Sequence, residues 1–351
     1  MPARHGLIDR YRPYLSLPPD CPQVTLLEGD TPLIPMPSLA QELGAAQVWA
    51  KVEGLNPTGS FKDRGMTVAV SEAAARGARI AICASTGNTA ASAAAYAARA
   101  GMRCLVLVPE GKVALGKLAG ALAYGGQVLQ LKGSFDQALD LVRKICQRHP
   151  IALLNSLNPF RLEGQKTLAF ELCEQLGGAP DWVALPVGNA GNITAIWMGF
   201  RQFNQRHGGG LPHLLGVQAA GAAPLVLGHP VSQPETVATA IRIGRPARGP
   251  QALEAAAQSG GRIVAVSDEA IMAGQRRLAA EGLWVEPASA APYAGLHQEV
   301  TAGRLRLAGQ RVVIVCTGHG LKDPGSVLQA VPPARSLPAS LEALEEVIHR
   351  S

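Results

Sequence analysis

Aromatic side chains are scarce in this chain: six Phe, five Tyr and four Trp among 351 residues, 4% in all. The 32 Lys and Arg exceed the 26 Asp and Glu by enough for a formal charge of +6, yet the basic residues are scattered, with no run of five and no interleaved aromatics. A nucleic-acid surface needs that clustering and those stacking platforms. Nucleic acid is therefore set aside as a partner, and the positive excess is read as steering for small anions. Apolar runs of about 18 residues, the length of a membrane helix, are missing. Met1 to Asp20 lacks the apolar core of about 7–15 residues that marks a secretory leader. The expectation is a cytoplasmic protein with no membrane partner. Cysteine is limited to Cys21, Cys83, Cys104, Cys146, Cys173 and Cys316, none in a C-x-x-C pair. Reduced, buried thiols fit that spacing better than disulfides or a metal site, and no metal is expected.

What is abundant is Ala, Gly and short β-branched runs, with 47% of the chain hydrophobic. Runs at Val48–Val52, Arg79–Ala84, Arg103–Val108, Gln127–Leu131, Ile151–Leu154, Trp182–Val187, Leu214–Gln218, Ile263–Val266 and Arg311–Cys316 read as strands. Helical patterns fall between them, among them Thr89–Arg99, Phe135–Gln147, Leu162–Leu176, Asn192–Gln205, Asp268–Ala280 and Ala290–Thr301. The βαβα rhythm predicts an α/β fold of parallel sheets with helices on both faces, and the length suggests about two domains. The Pro-containing stretches Tyr11–Pro22 and Val331–Pro338 read as surface arms.

The stretch Asn56-Pro57-Thr58-Gly59-Ser60-Phe61-Lys62-Asp63-Arg64-Gly65 puts a lysine after a Gly-Ser turn, at the start of a helical run. Thr58 or Ser60 is expected to cap that helix through its hydroxyl. A lysine that attacks a carbonyl must be aimed and kept partly neutral, and Lys62 has the setting for it. Four polar loops each follow a strand, where ligands bind in open α/β sheets. Gly188-Asn189-Ala190-Gly191-Asn192 precedes a helix and reads as a phosphate cradle or as an ordinary strand–helix turn. It has neither the G-x-G-x-x-G spacing nor a following Gly-Lys-Ser/Thr, which disfavours a dinucleotide or a nucleoside triphosphate. In Ser85-Thr86-Gly87-Asn88, the hydroxyls can cap the next helix while Asn88 donates to an oxyanion. Asn155-Ser156 follows another strand. Thr317-Gly318-His319-Gly320 offers a neutral hydroxyl and a titratable imidazole. Lys117 and Arg161 are cations in apolar surroundings, able to pair with a phosphate or simply be solvated.

Taken together these motifs resemble the pyridoxal-5'-phosphate enzymes of fold type II, the tryptophan-synthase-β group, and within it the threonine synthases. The resemblance runs through Leu27–Leu33, Pro57–Gly65, Ala84–Thr89, Asn155–Arg161, Pro186–Ile193, Ala238–Gly244, Glu286–Ala291 and Thr317–Pro324. It implies two open, twisted, mostly parallel sheets flanked by helices, with a small domain at 56–160 inserted in a large cofactor-holding domain at 1–55 and 161–351. It implies a Schiff base between Lys62 and pyridoxal 5'-phosphate, with Phe61 beside it. Asn88 falls to the ring 3'-oxygen, Gly188, Asn189, Ala190, Gly191 and Asn192 to the cofactor phosphate, and Thr317 to the pyridine nitrogen.

The implied reaction takes O-phospho-L-homoserine and water to L-threonine and phosphate, by γ-elimination and β-addition of water. Ser85, Thr86 and Asn88 would hold the substrate carboxylate. Thr89, Lys117, Asn155, Ser156, Arg161 and Asn189 are the implied ligands of its phosphate. A homodimer is implied, with no added regulatory domain at either end. Arg245 departs from the pattern, where asparagine is expected. A dehydratase or β-replacement enzyme on the same fold, a silent cofactor-binding protein and a nicotinamide dehydrogenase are the competing readings; the first needs no second phosphate pocket.

Overall fold

The computed structural model describes residues 5–110, 115–132, 135–328 and 336–350. Ten strands form two sheets: β1 Leu33–Pro35, β2 Gln47–Val52, β3 Ile80–Ala84, β4 Arg103–Pro109, β5 Gln127–Leu131, β6 Ile151–Leu153, β7 Trp182–Pro186, β8 His213–Ala219, β9 Arg262–Val266 and β10 Arg311–Cys316. The larger sheet runs β1-β2-β10-β7-β8-β9 and the smaller β5-β4-β3-β6. Every pairing is parallel except β1 with β2. The nine strands expected from β-branched runs all form, each within one residue at either end. β1 is too short for a run, three residues ending in proline. All five residues of β7 are buried, so both faces carry helices and period-2 alternation is lost.

Alanine sets the thickness of the smaller layer. Ala90, Ala93, Ala94 and Ala97 of the Asn88–Arg99 helix are buried against that sheet. Small side chains let the helix lie close to the strands. The expected Leu162–Leu176 helix is two helices, Pro159–Gln165 and Thr167–Leu176, meeting at Lys166. At the junction the Thr167 hydroxyl donates to the Gly164 carbonyl at 2.6 Å, which diverts that carbonyl from the helical ladder. The stretch at Tyr11–Pro22 is not a free arm. Tyr11, Leu15 and Cys21 are buried, and the Tyr11 and Tyr14 rings pack on Phe170 at 5.4 and 5.1 Å. Of the other proposed arm, residues 331–335 lie outside the described residues, and 336–338 are exposed. All six cysteines are free, five of them buried.

The two layers meet at the helix that Lys62 opens, Lys62–Ala75. It crosses the Pro159–Gln165 helix at Gly65 and Gly164. A Cβ on Gly164 would overlap the Arg64 carbonyl oxygen, and one on Gly65 would stand 2.7 Å from the Arg161 carbonyl. Only glycine permits that approach. Arg64, fully buried, forks onto Glu53 (Nε 2.6 Å, Nη2 2.8 Å) and onto Glu171 (Nη1 2.8 Å, Nη2 2.6 Å). Lys51, also buried, donates to Glu171 at 2.8 Å. Two cations and two carboxylates thus tie β2, the Lys62 helix and the Thr167–Leu176 helix in one neutral cluster.

Candidate active site

The chemistry-bearing loops leave the carboxyl ends of β3, β6, β7 and β10, as open α/β sheets place them. Lys62 is the first residue of its helix. Its loop is fastened to the loop after β10: Phe61 N–H donates to the Thr317 carbonyl at 2.9 Å and His319 N–H to the Gly59 carbonyl at 3.0 Å. The second of these loops is fastened in turn to Glu286, whose N–H donates to the Gly318 carbonyl at 3.1 Å.

The N-cap residue, Phe61, makes no side-chain cap, but one residue earlier Ser60 Oγ accepts from Lys62 N–H, the first helical donor, at 3.4 Å. The Thr58 hydroxyl donates to Asp63 at 2.6 Å. Asp63, buried, also accepts from Thr58 N at 2.7 Å and Ser92 Oγ at 2.6 Å. The carboxylate one residue after Lys62 therefore sets this turn together with the Thr58 and Ser60 hydroxyls. Ser85 likewise makes a local turn, accepting from Gly87 N at 3.2 Å, and does not cap the Asn88–Arg99 helix.

Part of Lys62 is accessible, but its ammonium lies against protein, 3.7 Å from the Phe61 ring centroid. Its pKa is lowered from 10.5 to about 7, first by burial and then by the charge of Arg161, while Glu286 opposes the shift. A substantial neutral fraction at physiological pH makes it a nucleophile and a base. Arg161 is 2% exposed, donates Nη1 to the Leu154 carbonyl at 3.2 Å, and leaves its buried Nε without a partner. No carboxylate pairs with it among the described residues. Burial pulls its pKa down to about 10. A buried cation with no carboxylate partner among the described residues, acting on a lysine that burial makes less basic, suits a bound anion.

The Gly188–Asn192 loop has the form of a phosphate cradle. A 17-residue helix starts at Gly191, and Ala190 before it holds a left-handed φ of 65°. A Cβ on Gly188 would stand 3.0 Å from Ile241 Cα. Asn192 is buried, and its Nδ2 has no partner within the protein. A helix N-terminus with an unsatisfied buried donor fits a bound phosphate. At the other end of the cleft Thr317 is buried and its hydroxyl lies 2.9 Å from Ser289 Oγ. That pair fits a neutral heterocyclic nitrogen. The residues present thus suit a phosphorylated pyridine such as pyridoxal 5'-phosphate.

Asn88 and Thr317, both buried, occur in the loops flanking this cleft, and Ser85, Thr86, Thr89, Ser156 and Asn189 are half-buried in the same set of loops. The Asn88 amide donates Nδ2 to both Glu286 oxygens at 3.0 Å. The Asn155 side chain accepts from Ala84 N at 3.0 Å and donates one N–H to the Ala84 carbonyl at 2.9 Å. It extends the β3–β6 pairing and keeps a second amide N–H. Lys117 belongs to the Leu115–Ala123 helix, and its side chain lies outside the described residues. His319 Nδ1 accepts from Leu321 N at 3.1 Å, which gives it a local capping role.

Glu286, Ser289 and Asp63 are the residues that motif reading passed over. Glu286 is 4% exposed. Burial raises its carboxyl pKa, against the opposing effects of Asn88, Lys62 and Lys322. A Cβ on Gly318 would overlap that carboxylate. A chain with Glu286 and Asn88 separated by 198 positions carries no local signal of their pairing. Asp63 had one, its place next to Lys62.

A family model described as "Pyridoxal-phosphate dependent enzyme" matches residues 24–318. A threonine synthase of Halalkalibacterium halodurans is 54% identical over 327 residues, covering 93% of this chain and 92% of the relative. One from Mycobacterium tuberculosis is 55% identical over 347 residues, covering 97% and 95%. Among solved structures, maize serine racemase superposes with a TM-score of 0.75 at 19% identity, over 98% of this chain and 96% of that one, a likeness of fold. With the family model over most of the chain and threonine synthases more than half identical to it across over nine-tenths of its length, the chain belongs to the pyridoxal-phosphate dependent enzymes and, among them, to the threonine synthases.

Proposed function

We propose that the chain converts O-phospho-L-homoserine and water to L-threonine and phosphate, with pyridoxal 5'-phosphate held at Lys62. The observation that carries this reading is the pairing of Lys62, lowered to about 7, with the buried and unpaired Arg161. A base and an anion-holding cation side by side suit a substrate that loses an α-proton and a phosphate. The bound cofactor supplies the electron sink that stabilises negative charge at the substrate's α- and β-carbons.

The residues divide the remaining work. Asn192 Nδ2 and the N–H groups of Gly188–Asn192 hold the cofactor phosphate. Phe61 walls the cleft beside Lys62. Thr317, hydrogen-bonded to Ser289, meets the ring nitrogen without adding charge. Asn88, held by Glu286, faces the ring oxygen. Ser85, Thr86 and Asn88 hold the substrate carboxylate at the start of a 12-residue helix, where free N–H groups favour an anion.

Lys62 Nζ, once free, would take the α-proton and the β-proton whose loss accompanies departure of the phosphate, and would return protons to the γ- and α-carbons as water adds at the β-carbon. Glu286 opposes Arg161 at that nitrogen and so limits how far its proton affinity falls. Arg161 receives the departing phosphate, with Thr89, Ser156 and Asn189 around it, while Asn155 supports the wall. Water adds at the β-carbon after phosphate has left.

Residues 56–160 act as the small domain, closing on the remainder to keep water from the early carbanion. The protein works in the cytoplasm as a homodimer. Its free cysteines support a reducing compartment, and among the described residues no helix is long and apolar enough to cross a membrane. The test is the visible spectrum of purified protein, followed by addition of O-phospho-L-homoserine and assay of both products. A cofactor band with threonine and phosphate in equal amounts is expected. A band with ammonia and a keto acid but no phosphate would move the reading to a dehydratase.

A further inference from the structure

The short segment from Arg245 to Arg248 touches both loops assigned to phosphates. Ala247 N–H donates to Asn189 Oδ1 at 3.3 Å, in the loop after β7. Arg248 reaches the other layer: its Nε donates to the Ser156 carbonyl at 3.2 Å and its Nη2 to the Leu157 carbonyl at 3.1 Å. Arg248 is half-buried, and no carboxylate pairs with it among the described residues. Its charge rests on two successive backbone carbonyls.

The loop it grips is fixed at both ends and is a turn, closed by Asn158 N–H donating to the Asn155 carbonyl at 3.1 Å. Asn155 is pinned to Ala84. The Asn158 side chain donates to the Leu153 carbonyl at 2.7 Å and accepts from Phe160 N at 2.9 Å. Ser156 and Leu157 lie between these anchors, and Arg161 follows in the helix that Asn158 caps. A planar guanidinium that donates to two adjacent carbonyls sets their spacing and direction, which a single ammonium cannot do. The crest then keeps Ser156 at a fixed place relative to Arg161.

We propose that Arg248 is a positioning residue for the substrate phosphate. It locks the Ser156–Leu157 crest across the cleft and, through Ala247 and Asn189, couples that crest to the cofactor-phosphate loop. The proposal rests on the reading that Ser156 and Arg161 receive the phosphate of O-phospho-L-homoserine.

The holoenzyme and its Arg248→Ala, Arg248→Gln and Arg248→Lys variants test it, each first checked for a wild-type thermal transition and cofactor band. Arg248→Ala and Arg248→Gln are expected to raise KM for O-phospho-L-homoserine about tenfold, as loss of charge-assisted hydrogen bonds would. They should weaken competitive inhibition by inorganic phosphate by the same factor, with kcat changed less than about threefold. L-Threonine, which has no phosphate, should perturb the cofactor band at the wild-type concentration. Arg248→Lys should recover part of the phosphate affinity.

Unchanged KM and phosphate inhibition in the Ala and Gln variants would overturn the proposal, leaving Arg248 a surface contact. Equal weakening of threonine and phosphate would overturn it too, by showing general loosening of the cleft. A wild-type enzyme that forms the cofactor band but neither turns over O-phospho-L-homoserine nor responds to phosphate would remove the underlying reading before any variant is compared.

Discussion

Lys62 shows how a single side chain acquires chemistry from its surroundings. Burial and the Arg161 charge lower its pKa to about 7, so half of it is neutral near there and the neutral form is nearly complete about one to two pH units higher, whereas an ordinary lysine is only half neutral at about pH 10.4. The rate at which cofactor-free protein takes up pyridoxal 5'-phosphate, followed by visible absorption, should therefore rise with pH through a midpoint at about 7 and level off about one to two units above it. Glu286 attracts the ammonium and holds the value up. In Glu286→Gln that attraction is lost, and the plateau should begin about one pH unit lower. A profile for Glu286→Gln that overlays the wild type would show that this carboxylate does not act on Lys62. Lys62→Ala should form no covalent cofactor adduct and give no threonine. The lysine and its glycine-serine turn were legible in the sequence. Its neighbours in space were only half so: Arg161 was singled out as a cation, but Glu286 comes from a loop more than 200 positions away.

Elements were the most legible level, because most strands are apolar runs and the central ones, β3, β7, β8 and β10, have both faces covered. What could not be read was how elements cross. The Lys62–Ala75 and Pro159–Gln165 helices touch at Gly65 and Gly164, and nothing in either stretch alone demands glycine. In Gly164→Ala the new methyl overlaps the Arg64 carbonyl. A loss of about 3 kcal/mol in urea unfolding is expected for such overpacking, with Arg161 displaced and KM raised. The Gly188–Asn192 loop was legible as an anion cradle by its glycines and its place before a helix. Its partnerless donor was not, since that depends on the fold around it. Because Asn192 Nδ2 makes no bond within the protein, Asn192→Ala should leave the stability of cofactor-free protein within about 0.5 kcal/mol of wild type. Cofactor affinity should fall about tenfold, the loss of one charge-assisted hydrogen bond. Equilibrium titration of the two proteins, with and without cofactor, separates the two effects.

At the scale of the whole molecule, the layers are joined by charge as well as by apolar packing. Lys51, Glu53, Arg64 and Glu171 are all at most 1% exposed, and Glu171 answers both cations, accepting from Lys51 and from two nitrogens of Arg64. These contacts hold its carboxyl far below the usual range, against a burial effect that alone would raise it. Removing one partner from such a cluster leaves a buried cation uncompensated, which costs about 3–5 kcal/mol. Glu171→Gln should therefore be less stable than wild type by about that amount at pH 7. The pH dependence follows from the direction of the shift. With the folded pKa depressed, the stabilisation is complete above the unfolded value, near 4.3, and is lost as pH falls below it. The unfolded chain takes up a proton there that the native carboxylate refuses. The stability gap between wild type and Glu171→Gln should thus be constant from pH 7 to about 5, then narrow by about 1.4 kcal/mol per pH unit. Urea unfolding at pH 7, 5, 4 and 3 would measure it. A gap independent of pH would mean that the cluster holds the layers by shape and packing. A gap that closes in acid would mean that ionised Glu171 secures the helix on which Lys62 is mounted.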